Sequence, residues 1–158
     1  MPNSILVVNM RGTINVRKPV KATLEDLHIN KRFRATIVPD NPIYRGMLKL
    51  AKDRVAWSTV EPSLVTKLLE LRGRKDGWKP LEKNDVQKLG YKDLNELGDS
   101  LASGKVTLNK LKGIKPSLGL PPPRKGFKRS TRRMYTQGGI LGENPELSDI
   151  VEAMLAPR

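Results

Sequence analysis

The side chains most able to do chemistry in this chain are its cations, and many of them occur in one stretch. Residues 121–133 read PPPRKGFKRSTRR, so three prolines are followed by six lysines and arginines. No acidic residue occurs from position 100 to position 142. Fixed positive charge at this density attracts phosphate groups, so the first chemistry to consider is the binding of a polyanion.

Covalent and metal chemistry have few candidate residues. The chain contains no cysteine and one histidine, His28. Zinc sites, thiol catalysis and disulfides each need cysteine or clustered histidine, so these classes are excluded. No nucleophile elbow surrounds His28, which we predict to be a surface or capping residue at a helix end. Glu25 and Asp26 are adjacent on a helix and do not face each other, which disfavours a magnesium site. We expect no enzyme, no metal and no cofactor.

A glycine-rich segment at residues 138–142 raises the question of a nucleotide-binding loop. It lacks the Lys-Ser/Thr pair of a Walker A motif and does not follow a Rossmann-type strand. We predict instead a tight turn that needs positive φ angles. The sequence therefore favours no small-molecule substrate.

The distribution of charge distinguishes a binding surface from a merely soluble one. The formal net charge is +14, and residues 114–135 carry seven cations and no acid, which is half of that net charge. A solubilising surface mixes the two signs. The longest strongly apolar N-terminal run, residues 5–8, is too short for a signal segment or a membrane span, so we expect a cytoplasmic protein with no membrane partner.

The expected partner is folded nucleic acid. No helix-turn-helix or zinc-finger spacing is present. Residues 125–127 read KGF and begin like the aromatic motif of RNA-recognition domains, but the following KRS breaks it. Aromatic residues make up 4% of the chain, too few for a series of base-stacking platforms. These observations favour a protein that reads RNA shape, phosphates and 2′-hydroxyls more than base sequence.

The first sixty residues predict a β-α-β-α-β order. Strands are expected at residues 5–10, 33–38 and 55–60, the second of them half-buried. One helix opens at residues 17–19 and buries Val20, Leu24 and Leu27. The other begins at Asn41-Pro42, a capping residue followed by proline at the first helical position, and runs to about residue 52.

The second of these helices is predicted to have two distinct faces. Ile43, Met47 and Leu50 are expected to be buried. Arg45, Lys49 and Lys52 occur at i, i+4 and i+7, so three cations are expected to share one face. Either an anionic partner or solvent could accommodate such a face.

The rest of the chain, residues 61–158, is predicted to be a mostly helical and extended addition. Helices are expected within 63–113, one capped by Ser63 and one at 85–89 capped by Asn84, and residues 104–119 are expected to be mostly irregular. Residues 114–140, which we call the strap, offer little apolar burial; we predict that they are mobile in the free protein and ordered on RNA. An amphipathic helix over 144–155 should dock on the core and anchor the strap.

Several motifs together resemble a known family. They are YRGM at 44–47, with VPD at 38–40 before it and VAW at 55–57 after it, then PPRKG at 122–126 and GGILG at 138–142. In this order they resemble the universal L-thirty family of large-subunit ribosomal proteins, called L-seven in eukaryotes. The resemblance covers residues 5–155.

The resemblance implies an α+β fold: a β-α-β-α-β core over residues 1–60 with an antiparallel three-stranded sheet, and an archaeal or eukaryotic-type extension over 61–158. It also implies a place on large-subunit rRNA near 5S rRNA, among other large-subunit ribosomal proteins. The helix bearing Arg45 and the strap are then the expected RNA-contacting parts. The long basic N-terminal segment of eukaryotic members is absent, which points to an archaeal source.

The predicted function is that of a structural constituent of the large ribosomal subunit; the alternative is a ribosome-biogenesis factor of the same family that binds precursor rRNA. The residues predicted to contact rRNA are mostly cations in the loops, the second helix and the strap: Arg11, Arg17, Lys18, Lys31, Arg32, Arg34, Arg45, Lys49, Lys52, Arg124, Lys125, Phe127, Lys128, Arg129, Arg132 and Arg133. Phe127 could stack on a base or pack on protein.

Overall fold

The computed structural model describes residues 4–111 and 113–155. Residues 4–59 have the predicted β-α-β-α-β order. Strands and helices are numbered separately along the chain. The bounds are β1 Ser4–Asn9, α1 Lys18–Asp26, β2 Arg34–Pro39, α2 Pro42–Leu50 and β3 Val55–Thr59. The extension adds α3 Pro62–Arg72, α4 Lys83–Lys88, α5 Leu94–Ala102, β4 Leu118–Gly119, β5 Ser130–Met134, β6 Gly139–Glu143 and α6 Leu147–Leu155.

One sheet joins the two parts of the chain. Strands β2, β1 and β3 form the antiparallel three-stranded centre that was predicted, with Leu6 opposite Ile37 in β2 and Ser58 in β3. The sheet is nevertheless six strands wide, in the order β4-β2-β1-β3-β6-β5. Strand β6 runs parallel to β3, and β5 runs parallel to β6. The α+β class is confirmed, whereas the expected width of three strands is wrong.

The central strands are buried on both faces. Helices α1 and α2 cover one face, where Leu24 and Leu48 pack in a cluster with Val7. The extension covers the opposite face, where Leu6 and Val8 pack in a second cluster with residues of α3, α5 and α6. Strand β2 is therefore not half-buried as predicted, because the extension supplies a second apolar layer.

Helix α2 is rotated relative to its predicted orientation. Leu48 is fully buried, and Tyr44 and Met47 pack partly against the same cluster. Ile43 and Leu50, which were expected in the core, are 75% and 45% exposed. Both choices fit an amphipathic helix, and the contact with the sheet decides between them.

Two of the predicted helix caps, at Ser63 and Asn84, are wrong. The side chain of Asn41 accepts a hydrogen bond from the backbone N–H of Tyr44 at 2.9 Å, as predicted. Helix α3 starts one residue before Ser63, at a proline after Glu61. Helix α4 starts before Asn84 and is capped by Glu82 and Asp85, which form a reciprocal capping box.

The part of the chain after α5 contains more strand than the sequence indicates, although the described residues of 104–119 are mostly irregular, as predicted. It contributes β4, β5 and β6 to the sheet, and Leu118, Leu120 and Ile140 are buried. The expectation of little apolar burial in the strap is therefore wrong at its two ends. Helix α6 is confirmed as amphipathic, with Leu147 and Val151 among its buried residues, but it starts at Leu147 rather than at residue 144. No helix within the described ranges is long and apolar enough to cross a membrane.

Candidate nucleic-acid interface

Strand direction brings distant basic segments to one end of the sheet. Strand β1 ends where β2 and β3 begin, because both pair with it in antiparallel register. Strands β6 and β5 are parallel to β3, so they begin at that end too. The segments that lie there are residues 11–18, 31–34, 53–54 and 121–129, and we call them the basic end.

Backbone and ring contacts hold the strap against this end. The backbone N–H of Leu120 donates to the carbonyl oxygen of Phe33 at 2.9 Å. The ring centroids of Phe33 and Phe127 are 5.8 Å apart. Phe33 is also tied to β1, because its N–H donates to the carbonyl of Asn9 at 2.6 Å. Phe127 therefore packs on protein, and the strap passes over the start of β2.

A buried amide organises the loop that carries Arg11. The side-chain oxygen of Asn9 accepts from the backbone N–H groups of Arg11 and Gly12 at 3.1 and 2.8 Å. Its side-chain nitrogen donates to the carbonyl of Ile29 at 2.7 Å. Asn9 is fully buried, so its satisfied amide fixes the exit of β1 against the approach to β2.

The cations around this loop lie close together. The guanidinium of Arg11 donates to the carbonyl oxygen of Asp53 at 3.2 Å. Burial lowers the pKa of the neighbouring Arg54, and the positive charge of Arg11 lowers it further. Arg11, Arg17 and Arg54 line a cavity of about 200 Å³ that opens to solvent. Asp53 lines the same cavity and offsets part of the repulsion between these cations, and a bound anion would offset more of it.

Most predicted contact residues at the basic end and on β5 are exposed. Arg11 and Arg34 are half-buried, and Arg32 donates to the carbonyl of Met10 at 3.3 Å while its guanidinium lies 4.7 Å from the ring centre of Phe33. The exposed cations are Arg17, Lys18, Lys31, Arg32, Arg124, Lys125, Lys128, Arg129, Arg132 and Arg133. Within the described ranges, only Arg129 of this set forms an ion pair, with Glu146 at 3.5 Å.

Of the three cations predicted to share one face of α2, Arg45 and Lys49 line one open cavity beside Asp40, whereas Lys52 does not belong to the helix. Arg45 binds Asp40 through two hydrogen bonds, at 2.5 Å from Nε and 3.0 Å from Nη2. This pairing raises the pKa of Arg45 and lowers that of Asp40. Lys49 is exposed in the last turn, but the helix ends at Leu50, so Lys52 lies beyond it. The charge of Arg45 is already compensated by protein.

The opposite end of the sheet carries acids. Strands β2, β3 and β6 end there. Asp40 follows β2, Glu61 lies just after β3, and Glu143 is the last residue of β6; we call these three residues the acidic end. The charge of Glu143 also favours the protonated form of Arg45. Helix α2 runs from the acidic end back to the basic end, so Arg45 lies near the first and Lys52 near the second.

Two residues near the basic end were missed in the sequence. Arg54 gave no signal beyond its charge. Trp78 lies in a basic turn, and the guanidinium of Arg34 is 4.4 Å from its ring centre. A tryptophan between Gly77 and Lys79, in a turn with few apolar neighbours, was the available signal.

The remaining sequence predictions concern metal ligands, His28 and the glycine-rich segment. Across residues 4–111 and 113–155, no group of three or more His, Cys, Asp or Glu side chains could hold a metal ion. His28 is exposed and directly follows the C-cap of α1, as predicted. Gly138 has φ of +84°, which confirms the predicted tight turn.

Comparison with known proteins gives concordant similarities. Residues 5–55 match the family described as ribosomal protein L30p/L7e. A protein of Cenarchaeum symbiosum named large ribosomal subunit protein uL30 is 42% identical over 98% of this chain and all of its own length. Proteins of the same name from Nitrosopumilus maritimus and Staphylothermus marinus are 41% and 38% identical, each over 98% of this chain and their full length.

Proposed function

Because this chain belongs to the ribosomal protein L30p/L7e family, we propose that it is a structural constituent of the large ribosomal subunit. In this role it binds folded large-subunit rRNA in the neighbourhood of 5S rRNA, together with other large-subunit ribosomal proteins. The proposed role involves no catalysis, no cofactor and no small-molecule substrate, and it places the protein on ribosomes in the cytoplasm.

The observation that carries the rRNA-binding proposal is the convergence of exposed cations at the basic end. These residues come from three segments of the chain, 11–18, 31–34 and 121–129, yet the strand directions and the Phe33–Phe127 contact bring them together. Ten exposed cations at this end and on β5 lie among few compensating acids. Such a surface suits the closely spaced phosphates of a folded RNA.

The proposal predicts strong dependence on salt. If about eight phosphates are neutralised, the logarithm of the affinity should fall with the logarithm of salt concentration with a slope near −7 on a duplex-like estimate. The assay is a titration of the protein with large-subunit rRNA, alone and annealed with 5S rRNA, at several salt concentrations. An affinity that hardly changes with salt would contradict phosphate neutralisation, and no effect of 5S rRNA would contradict its proximity.

Co-sedimentation separates a resident ribosomal protein from a biogenesis factor of the same family. A resident protein should stay on mature large subunits in high salt. A biogenesis factor should be found on precursor particles and be absent from mature subunits.

A further inference from the structure

Trp78 occupies an unusual backbone position at the tip of a basic hairpin. Residues 74 and 80 pair in antiparallel fashion, and the N–H of Lys75 donates to the carbonyl of Lys79 at 2.9 Å. The N–H of Trp78 donates back to the carbonyl of Lys75 at 3.0 Å. Gly77 and Trp78 have φ of +84° and +60°. A left-handed conformation is common for glycine and rare for tryptophan, so the hairpin holds a side chain that the local backbone disfavours.

The hairpin is fixed to the body of the protein. Lys75 forms an ion pair with Asp85 of α4 at 3.2 Å. The N–H of Asp76 donates to the carbonyl of Gly113 at 3.2 Å, and the N–H of Lys115 donates to the carbonyl of Arg74 at 2.9 Å. Contacts from two directions therefore set the position of the indole ring before any ligand arrives.

The packing of Trp78 differs from that of the other tryptophan. Trp57 is 8% exposed and belongs to the cluster under α1 and α2. Trp78 is 49% exposed and belongs to neither hydrophobic cluster. The ring of Trp57 therefore contributes to the hydrophobic core, whereas much of Trp78 is open to solvent.

The guanidinium of Arg34 covers Trp78 from one side. It lies 4.4 Å from the ring centre, within the range of a cation–π contact. Arg34 is half-buried at the start of β2, and this burial lowers its pKa. A cation held against one face leaves the other face of an aromatic ring available for stacking. Lys79, which follows Trp78 in the chain, is exposed and supplies a charge for a phosphate.

We propose that Trp78, backed by Arg34, is a stacking site for an unpaired nucleobase of the rRNA. This inference rests on the proposed function and adds a base contact to an otherwise phosphate-dominated surface. Stacking between a base and an aromatic ring needs no hydrogen-bond readout, so the site accepts any base that projects from the folded RNA.

Fluorescence tests the site directly, because the two tryptophans differ in exposure. The probes are a single-stranded oligoadenylate and an abasic sugar–phosphate oligomer of equal length and charge. Oligoadenylate should quench the emission of Trp78, and the abasic oligomer should leave it nearly unchanged. The Trp78→Phe variant, in which Trp57 is the sole reporter, should show no quenching with either. Equal quenching by both oligomers, or none by oligoadenylate, would overturn the proposal.

Binding to large-subunit rRNA gives a second test. Trp78→Leu should lower the affinity about tenfold with the salt slope unchanged, because a stacked ring is lost and no phosphate contact is removed. Trp78→Phe should keep most of the affinity; both variants retain the same backbone strain, since neither introduces glycine. Unchanged affinity in Trp78→Leu, with normal salt dependence, would overturn this inference and leave the proposed function standing. A loss seen only on assembled subunits would also overturn it, since the ring would then contact protein.

Discussion

The two ends of the central sheet differ in charge and in how that charge is used. At the basic end, Arg17, Lys31 and Arg124 lie exposed on segments held together by buried amide and ring contacts. At the acidic end, Arg45 is bound by Asp40 and attracted by Glu143. The protein thus compensates its charge at one end and leaves it available at the other.

This difference shows that a count of charges along the chain does not locate an interface. Residues 1–62 carry cations that belong to both ends of the sheet. Helix α2 itself runs from the acidic end to the basic end. The direction of each strand decides which cations meet. A surface of uncompensated cations can exchange counterions for phosphates, whereas an existing ion pair must first be broken.

The largest expected effect comes from removing the exposed charge of the strap. Five substitutions to glutamine, at Arg124, Lys125, Lys128, Arg132 and Arg133, should lower the rRNA affinity on the order of a hundredfold near physiological salt. The salt slope should decrease by about four units, since each phosphate contact contributes roughly 0.9. Filter binding over a range of salt concentrations measures both quantities.

The matched control removes the same charge elsewhere. Lys67, Lys83, Lys88, Lys92 and Lys105 are exposed on or next to the helices of the extension. Changing these five to glutamine should lower the salt slope by less than one unit. If the two variants lose affinity equally, net charge alone would explain binding and the distinction between the ends would fail.

The next effect concerns Phe127, which the sequence left open between RNA and protein. Its ring packs on Phe33 and against the larger hydrophobic cluster. Phe127→Ala should lower the free energy of unfolding by about 2 kcal/mol, and Phe127→Leu by less, because leucine keeps most of the apolar contact. Urea unfolding measures this. Unchanged stability with a large loss of rRNA affinity would instead indicate a ring that stacks on RNA.

A smaller effect is expected along α2, and it separates the two ends within one helix. The double variant Lys49→Gln, Lys52→Gln should lower the rRNA affinity about tenfold and the salt slope by about two units. Arg45→Gln should change the slope by less than one unit, because Asp40 already compensates that charge. A larger effect from Arg45 than from the two lysines would place the interface at the acidic end.

The smallest effect is the pH dependence of the Asp40–Arg45 pair. Arg45 lowers the pKa of Asp40 in the folded protein, so the pair stabilises the fold above the ordinary carboxylate pKa of about 4. That contribution is lost as the pH falls through the folded pKa. Asp40→Asn should therefore be less stable by under about 1 kcal/mol near neutrality, with the difference vanishing in acid. Glu70→Gln on α3 is the control, and a difference that grows in acid would contradict the assignment.

The sequence predicted the local elements of the first part well because their signals are local. Asn41 followed by proline caps a helix through one side-chain hydrogen bond. The sequence could not predict which side of α2 is buried. Ile43 and Leu48 each belong to a plausible apolar stripe of the helix, and the contact with the sheet buries Leu48. The dense positive charge of the strap could be predicted, because it depends on composition alone.

The sequence could not predict the width of the sheet or the clustering of cations at the basic end. Strand β4 has two residues, and β5 reads STRRM, so neither shows the alternation that marks a strand. Their pairing depends on contacts far along the chain, such as Arg34 opposite Gly119. Trp78 was overlooked for a similar reason, because its partner Arg34 is far away in sequence.

Amide hydrogen exchange of the protein, free and bound to large-subunit rRNA, tests the central claim most directly. RNA should add protection at residues 11–18, 31–34 and 121–133, and should leave the amides around Asp40, Glu61 and Glu143 unchanged. The free protein also reports whether the strap is mobile, as the sequence predicts, or already protected along β5 and β6. New protection centred on the acidic end, with none at the basic end, would contradict the account.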